Sequence, residues 1–448
     1  MPELNKDVLH LIFQEFQDNR YTLISCLLVN KTWCDVIVPI LWKNPLKFAR
    51  RDQLLFNVII SHSSDKQKNK LKDQGFDFLT NSYQKPLFNY TSFCKDLNLY
   101  EFEDLFINNN NTKVTHFYMP QHINYDLITG AKHYFSEIEF LSCNTRMNDN
   151  IAASLIEICK SIKELDLYIY PDRNNYGIVK LIESQKNLVN VNFRVSIHTS
   201  NSDKKIFEKS LIKHASNIQY FRIIQQPATN ILSFLVNLNV LKLSDFTCNA
   251  WDCLENLSLP SLQMLKAGRN VSNNALVSLI KNTNGSLIEI KIDYPPSSPS
   301  SPNDEYYNRR IIQAVYQNCP KLKYLKLLLR TCNILELNYL LTNCQHLNGL
   351  YIVRSEIDRF YYNWVTLFNV LVESSPIGLF KFKFESRSSY IDLESLKLFF
   401  DGWRGRHPMI LHVDLGSRNV GLLELYKSQG IIKRYHPNSY CFEDFEWV

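Results

Sequence analysis

Glycine is scarce in this sequence, at 12 of 448 residues. A collagen-like chain needs glycine at every third position and is excluded, and folds built on many tight turns are disfavoured. The longest apolar runs, such as residues 36–42, fall well short of the roughly 20 residues that a helix needs to cross a bilayer. The sequence therefore predicts a protein with no transmembrane span.

The sequence also has no pattern of paired cysteines, and we expect no secretory leader. The eleven cysteines are scattered and form no C-x-x-C pair. The start of the chain carries acidic side chains and no small-residue cleavage site, unlike a secretory signal. We therefore expect free thiols in a reducing compartment, cytoplasmic or nuclear.

Motifs that would indicate an enzyme are lacking as well. The chain contains no P-loop, no G-x-G-x-x-G, no H-E-x-x-H and no G-x-S-x-G. The spacing of His116, His122 and His133 matches no zinc site. We therefore expect a protein that is not an enzyme, with no catalytic residues, no metal and no cofactor.

Length and charge narrow the class of protein. A single hydrophobic core stops growing at roughly 250–300 residues, so a chain of 448 residues indicates several domains or an extended repeat stack. The 50 basic and 44 acidic side chains give a net charge of +6, all of it within residues 113–448, because residues 1–112 hold 13 of each sign. This excess is small for its length, and we do not expect a nucleic-acid partner.

Three short apolar helices are predicted at the start of the chain. The first covers about residues 6–16. Val8 and Ile12 follow one line along it, and Leu9 and Phe13 follow a second, so its apolar stripe is too wide to bury within so short a segment. The surplus apolar surface requires a partner, either the rest of the chain or another protein.

Residues 1–46 resemble an F-box. The resemblance rests on the order of the apolar residues in the first helix. This helix is followed by the motif Leu28-Val29-Asn30-Lys31-x-Trp33 and then by Leu41-Trp42. It implies binding to the Skp adaptor, and through it to cullin, with this chain as substrate receptor of an SCF-type (Skp–cullin–F-box) ubiquitin ligase in ubiquitin-dependent protein degradation. The matching adaptor-binding positions are Leu4, Val8, Leu9, Ile12, Leu28, Val29, Trp33 and Trp42. Alternatively, they form the core of a helical cap, and the protein is an interaction scaffold with no ubiquitin role.

Residues 47–112 are predicted to be a helical transition between the F-box and the repeats. Short helices are expected at about residues 52–62, 65–73 and 86–97. The run of four asparagines at 108–111 is typical of a solvated loop.

From residue 113 to the end of the sequence, one template repeats. An apolar residue is followed by two variable residues, an apolar one, one variable residue and a last apolar one, as in KLKYLKL at 321–327. Each copy predicts a short strand with alternate residues inward. Twelve copies, about 27 residues apart on average, begin at Val114, Phe135, Ile162, Leu188, Ile218, Leu238, Leu262, Leu287, Leu322, Leu347, Leu379 and Ile410.

Helix-like segments lie between most of these strands. One strand and one helix in each repeat resemble the leucine-rich repeat in its ribonuclease-inhibitor-like form. The resemblance implies an α/β fold, a solenoid with parallel strands on its concave face and helices on its convex face. We expect the acidic, aromatic segment CFEDFEWV (441–448) to cap the open end of the last repeat.

Three cysteines share one position in their repeats. Cys159, Cys319 and Cys344 each lie three residues before the first apolar residue of a template. This shared offset predicts a recurring structural position, a buried thiol at a helix end, and not a catalytic or metal site.

The variable residue between the last two apolar positions of each template is predicted to face the concave surface. Five successive ones are basic, namely Arg222, Lys242, Lys266, Lys291 and Lys326, and Tyr220 and Tyr324 lie beside them. Neighbouring strands lie about 4.8 Å apart, so these charges would form a ladder that favours an acidic or phosphorylated segment of an unknown protein substrate. The alternative is a solvated strand face. The full series is Tyr118, Glu139, Asp166, Asn192, Arg222, Lys242, Lys266, Lys291, Lys326, Tyr351, Lys383 and Asp414.

Overall fold

The computed structural model describes residues 4–44, 58, 87–98, 114–119, 135–171, 176–244, 251–268, 270–293, 304–354, 362–386, 391–413 and 420–436. The chain divides into two compact units. The first contains Met1–Val191 and His198–Ser210, and the second contains Asn192–Ile197 and the residues from Leu211 onward. The predicted helix at 65–73, all but residue 58 of the one at 52–62, and the predicted cap at 441–448 lie outside the described residues.

Three helices open the first unit: α1 (Lys6–Glu15), α2 (Arg20–Leu27) and α3 (Lys31–Trp42). An asparagine side chain caps each helix by accepting a backbone N–H of the first turn, which has no partner inside the helix. The caps are Asn5, Asn19 and Asn30, with O···N distances of 3.2, 3.2 and 2.9 Å. The three short helices predicted at the start of the chain are therefore confirmed.

Short parallel strands, with helices between them, form the rest of both units. In the first unit the strands that pair in chain order are β1 (Asp96–Asn98), β2 (His116–Tyr118), β3 (Phe140–Asn144) and β4 (Glu164–Ile169). Strand β5 (Asn190–Val195) crosses the boundary between the units. In the second unit the strands that pair in chain order are β6 (Tyr220–Ile224), β7 (Val240–Ser244), β8 (Met264–Ala267), β9 (Glu289–Ile292), β10 (Tyr324–Leu329), β11 (Gly349–Arg354), β12 (Lys381–Glu385), β13 (Met409–Val413) and β14 (Ile432–His436).

Helices alternate with these strands, as the sequence predicts. They are α4 (Asp149–Ile158), α5 (Tyr176–Glu183), α6 (Asn201–Ile212), α7 (Ile231–Phe234), α8 (Asn273–Lys281), α9 (Asp304–Asn318), α10 (Glu336–Asn343), α11 (Trp364–Ser374), α12 (Leu393–Gly402) and α13 (Val420–Ser428). The apolar template positions form the core, and Leu322, Leu325 and Leu327 are at most 1% exposed. No helix within the described ranges is long and apolar enough to span a membrane.

The parallel strands begin earlier than residue 113. Where the sequence predicts a helix at 86–97, the structure has a short 3₁₀ turn at Tyr90–Phe93 and then β1, which pairs with β2. The reason lies in the template. Cys94, Leu97 and Leu99 satisfy its spacing, and the buried Cys94 takes the first position as a small apolar residue.

A repeated main-chain contact sets the register between repeats. The carbonyl of the residue before most of the strands accepts N–H groups from two successive residues of the next repeat. The Lys323 carbonyl, for example, accepts from Asn348 at 2.8 Å and from Gly349 at 3.1 Å. Because these bonds join backbone to backbone, they tolerate the wide variation of side chains from repeat to repeat.

The predicted buried thiols at helix ends are confirmed. Cys159 and Cys344 directly follow α4 and α10, Cys319 directly follows α9, and all three are fully buried. The thiols of Cys159 and Cys344 donate to the carbonyls of Phe135 and Cys319. Burial raises the pKa of Cys159 and Cys344 to about 12, so both remain protonated near neutral pH.

Candidate functional site

One side of helix α1 presents an exposed apolar line. Val8 and Ile12 lie one turn apart on the same side of the helix. Leu4 comes just before the N-cap of α1 and Phe16 is its C-cap residue, and all four side chains are between 41% and 54% exposed. A helix that is apolar toward solvent as well as toward its own core is typical of a surface that another molecule covers.

The turn after α2 adds to the exposed apolar surface of the same three helices. Leu28 is 87% exposed and Val29 is 56% exposed. A groove between the end of α1 and the start of α2 is lined by Phe16, Tyr21 and Ile24, together with polar side chains. Tyr21 and Ile24 are also exposed, and the resemblance to an F-box did not single them out.

Other residues of the predicted adaptor surface are internal. Leu9 is only 2% exposed and belongs to the core of the three helices with Phe13 and Leu23. Trp33 is partly buried and meets the Phe13 ring edge-on at 5.0 Å between centroids. Five of the eight predicted residues, Leu4, Val8, Ile12, Leu28 and Val29, are thus exposed, whereas Leu9 and Trp33 pack inside the helices.

Trp42, the last of the eight predicted residues, joins the helices to the strands. Its ring packs on Tyr90 at 4.7 Å between centroids. The next residue, Lys43, accepts N–H groups from Lys95 and Asp96 at 2.9 and 3.0 Å through its carbonyl. Most repeats make this contact with the following one, so the end of α3 takes the place of a preceding repeat.

An ion pair lies beside this junction. His116 Nδ1 on β2 is 3.1 Å from Asp96 Oδ1 on β1, and the Asp96 side chain is 17% exposed. Asn44 donates to the other carboxylate oxygen of Asp96 at 3.4 Å. The Asp96 carboxylate raises the pKa of His116 above its usual value, against the opposing effects of burial and of Lys43.

In the second unit, the strand pairing aligns one side chain from each strand, from β6 to β14. We call this line of paired residues the central row. Its members are Arg222, Lys242, Lys266, Lys291, Lys326, Tyr351, Lys383, His412 and His436. The five predicted basic residues are therefore adjacent and in register. Tyr220 and Tyr324 lie in the neighbouring row, two residues earlier on β6 and β10.

For two members of the predicted series, the sequence pattern indicated the wrong residue. In the first unit Ser142, not Glu139, pairs with Asp166, and in the second unit His412, not Asp414, pairs with Lys383. Asp414 itself lies outside the described residues. At the first place the overlapping segment Ile138, Leu141 and Cys143 also fits the template, and at the second Leu411 and Val413 fit it after Pro408. In both cases the backbone pairing with the neighbouring strand selects the segment that the sequence did not favour.

Carboxylates accompany the central row on β9 and β10. Lys291 Nζ is 2.6 Å from Glu289 Oε1, and Lys326 Nζ is 2.6 Å from Asp293 Oδ1. Because these acids lie on the same sheet face, two residues before and after Lys291, they offset part of the repulsion within the ladder. Further along, Tyr351 donates to Glu385, and the Nζ atoms of Lys326 and Lys383 each lie 4.6 Å from the centre of its ring.

The part of the central row on β6, β7 and β8 is more accessible. Arg222, Lys242 and Lys266 are each half-buried, and Lys242 Nζ lies 5.0 Å from the centre of the Tyr220 ring. Half-buried Met264 flanks them in the neighbouring row. This segment combines three successive cations with apolar side chains, which suits an extended acidic peptide.

Sequence reasoning missed several residues of this face. Glu289 and Asp293 were not considered because they do not occupy the variable position between the last two apolar residues of a template. His436 was not considered because the sequence of β14 does not match the template. The signal that finds the acids is their spacing of two residues on either side of Lys291, since residues i and i+2 of a strand share a face.

The fold is α/β, with one parallel strand and one helix or turn in each repeat and the strands paired in chain order, an arrangement like that of a leucine-rich repeat. No family model and no curated protein matches the chain. Among solved structures it is similar to LegL7, a leucine-rich-repeat-containing protein from Legionella pneumophila, with 10% identity over 71% of this chain and 89% of that chain and a TM-score of 0.33. The description of the fold therefore rests on the strand pairing described above.

Proposed function

We propose that this protein is the substrate-receptor subunit of an SCF-type ubiquitin ligase, in which α1–α3 bind the Skp adaptor and the repeats bind a protein substrate. One observation carries the proposal. Leu4, Val8, Ile12, Leu28 and Val29 remain exposed on three helices that already possess a filled core. These are five of the eight positions that match adaptor-binding residues of an F-box.

In this role the protein performs no bond chemistry. The adaptor, and cullin behind it, would be held by the N-terminal helices while the repeats hold a substrate. Tethering both raises the effective concentration of the substrate beside the ubiquitin-transferring enzyme. The receptor thereby converts a bimolecular encounter into a nearly intramolecular one.

The test is co-purification of the full chain with a purified Skp adaptor. Val8→Glu places a charge on the exposed line of α1 without touching the core, since Val8 is 42% exposed. We expect this variant to lose adaptor binding while its circular dichroism matches that of the parent chain. Leu9→Ala is unsuitable for this purpose, because truncating a buried leucine costs about 2–5 kcal/mol of stability.

A matched control is Leu398→Glu, which changes a similarly exposed leucine on α12 in the second unit. We expect it to bind the adaptor like the parent chain. Failure of the folded parent chain to bind, or equal binding by Val8→Glu, contradicts the proposal.

The second candidate function is a leucine-rich-repeat interaction scaffold in which α1–α3 only cap the repeats. The contacts of Trp42 with Tyr90 and of the Lys43 carbonyl with Lys95 and Asp96 favour it, because a terminal repeat needs a cover. A cap alone gives no reason for the exposed line on α1. Absence of adaptor binding by a folded chain would leave this second function.

For the substrate, we propose an acidic or phosphorylated protein segment bound along β6–β8. Arg222, Lys242 and Lys266 are in register and half-buried there. A phosphate or carboxylate on an extended chain can meet cations at successive strands, which lie about 4.8 Å apart.

A further inference from the structure

Beside the cations of β6–β8 lies a second line of residues, here called the apolar row. It consists of Tyr220, Val240 and Met264, which strand pairing places side by side, and all three are half-buried. Each of them precedes a cation of the central row by two residues, so the two rows share one face of the sheet and lie about 6.6 Å apart. This face therefore offers apolar surface alongside positive charge.

The two sides of the cations differ in chemistry. On the side away from the apolar row, β7 ends with Ser244 and β8 is followed by Gly268, while Ile224 on β6 is only 7% exposed. Among the described residues of β6–β8, accessible apolar surface next to the cations thus lies mainly toward the starts of the strands. Apolar side chains of a ligand are therefore favoured on that side, where they can be removed from water.

Both features end at β9. Glu289 pairs with Met264 and takes the next place after the apolar row, and its carboxylate lies 2.6 Å from Lys291 Nζ. Arg222 and Lys242, in contrast, form no ion pair with any part of the chain that the structure describes. An acidic ligand is therefore attracted to β6–β8, where the cations are not neutralised, and is repelled by Glu289 beyond them.

The geometry of the two rows selects a sequence pattern in an extended ligand. Successive side chains of an extended peptide point to opposite sides. A peptide that crosses β6–β8 between the two rows therefore directs every second side chain toward the cations and the side chains between them toward the apolar row. Acids two residues apart are separated by about 6.6 Å, and the cations of three strands span about 10 Å. Two acids thus fit over the cations with one apolar residue between them.

We propose that the β6–β8 face binds a protein segment with the pattern acid–apolar–acid, in which each acid is aspartate, glutamate or a phosphorylated residue. The acids lie over Arg222, Lys242 and Lys266, and the apolar side chain lies over Val240 and Met264. This inference rests on the substrate site proposed above, to which it adds the apolar side chain and its place between the acids. It does not depend on adaptor binding, because all of these residues belong to the second unit.

Fluorescence anisotropy with labelled peptides of equal length tests the proposal on the full chain. The first peptide alternates glutamate and leucine. The second has the same composition, with all glutamates in one block and all leucines in another, and the third alternates glutamate and serine. We expect the alternating glutamate–leucine peptide to bind about tenfold more tightly than either of the others, the factor that corresponds to about 1.4 kcal/mol.

A variant of the apolar row locates the preference for leucine. Val240→Thr/Met264→Gln keeps the size of both half-buried side chains and removes their apolar character. We expect this variant to keep the parental circular dichroism, to bind the glutamate–serine peptide like the parent chain, and to lose the preference for leucine. The matched control Val236→Thr/Leu398→Gln changes two exposed apolar residues elsewhere in the second unit and should keep it.

The outcomes separate this inference from the proposed substrate site. Equal binding of the alternating and the block peptide, or of the leucine and the serine peptide, overturns the pattern. If Arg222→Glu/Lys242→Glu/Lys266→Glu nevertheless weakens that binding, the site recognises charge alone. A preference for leucine that persists in the folded Val240→Thr/Met264→Gln variant also overturns the pattern, because the apolar contact then lies elsewhere. If the folded parent chain binds none of the peptides, the substrate site and the pattern are both wrong.

Discussion

At the scale of single residues, two histidines differ because of their neighbours. His116 faces the Asp96 carboxylate, which raises its pKa above the usual value. His412 lies 4.3 Å, ring to ring, from His436. Burial, His436, Lys383 and Arg434 together lower the pKa of His412 to about 3. One residue type therefore carries opposite pH dependences in two parts of the chain.

We expect His116 to make the protein less stable at alkaline pH. Its folded-state pKa exceeds the unfolded value of about 6.5, so its stabilisation is complete below that value and is lost as the pH rises through the folded pKa. Urea unfolding midpoints measured between about pH 7 and 9 should fall less in His116→Gln than in the parent chain. His10→Gln, at an exposed histidine of α1, should keep the parental slope, and equal slopes in all three proteins contradict the prediction.

His412 does not disturb that measurement. With a folded-state pKa of about 3, it is neutral in both the folded and the unfolded state above about pH 7. Its effect appears only on the acid side, where the unfolded chain binds a proton that the folded chain does not. Stability attributable to His412 therefore declines as the pH falls below about 6.5, outside the window that reports His116.

At the scale of elements, a strand or a helix presents two faces with different roles. On α1, Leu9 and Phe13 stabilise the three helices while Val8 and Ile12 face solvent. On β6–β8, the leucines and other apolar residues form the core while Arg222, Lys242 and Lys266 line the opposite face. The second face carries the half-buried cations and not the apolar core, so its side chains can contact a partner.

We expect the β6–β8 face to bind acidic peptides through charge. The triple variant Arg222→Glu/Lys242→Glu/Lys266→Glu should weaken binding of a fluorescent polyglutamate peptide about tenfold, since each exposed ion pair contributes about 0.5 kcal/mol. Added salt should weaken the parental interaction further, because it screens exposed charges.

The matched control reverses the same number of charges elsewhere, at the exposed residues Lys160, Lys281 and Lys321. Fluorescence anisotropy should show nearly parental affinity for this variant at fixed salt. If both triple variants lose affinity equally, the interaction reflects net charge and not a site on β6–β8.

At the scale of the whole molecule, the two candidate surfaces belong to different units. The exposed line of α1 lies in the first unit, and the β6–β8 face lies in the second. They share no residue and no ion pair among those described above. A substrate receptor needs such separate surfaces, because both partners must be held at the same time.

We expect the two surfaces to bind independently. Affinity of the chain for the Skp adaptor, measured by calorimetry with and without saturating acidic peptide, should change by less than about 0.5 kcal/mol. The Val8→Glu variant should likewise retain parental affinity for the peptide. A larger change in either measurement contradicts independence and would indicate that the two units are coupled.

Much of this architecture follows from local pattern, and the rest from contacts distant in sequence. Apolar spacings of three to four residues on α1–α3, and of two within each strand template, are local properties, so the elements and the five adjacent basic residues were predictable. Leu9 and Val8 look alike in sequence, and only the packing of Phe13 and Leu23 against Leu9 makes one core and the other surface. The places of Ser142 and His412 in their rows, and the ion pairs of Lys291 and Lys326, required the register between strands. Register depends on backbone bonds between residues some 20 to 35 positions apart, which no local pattern determines.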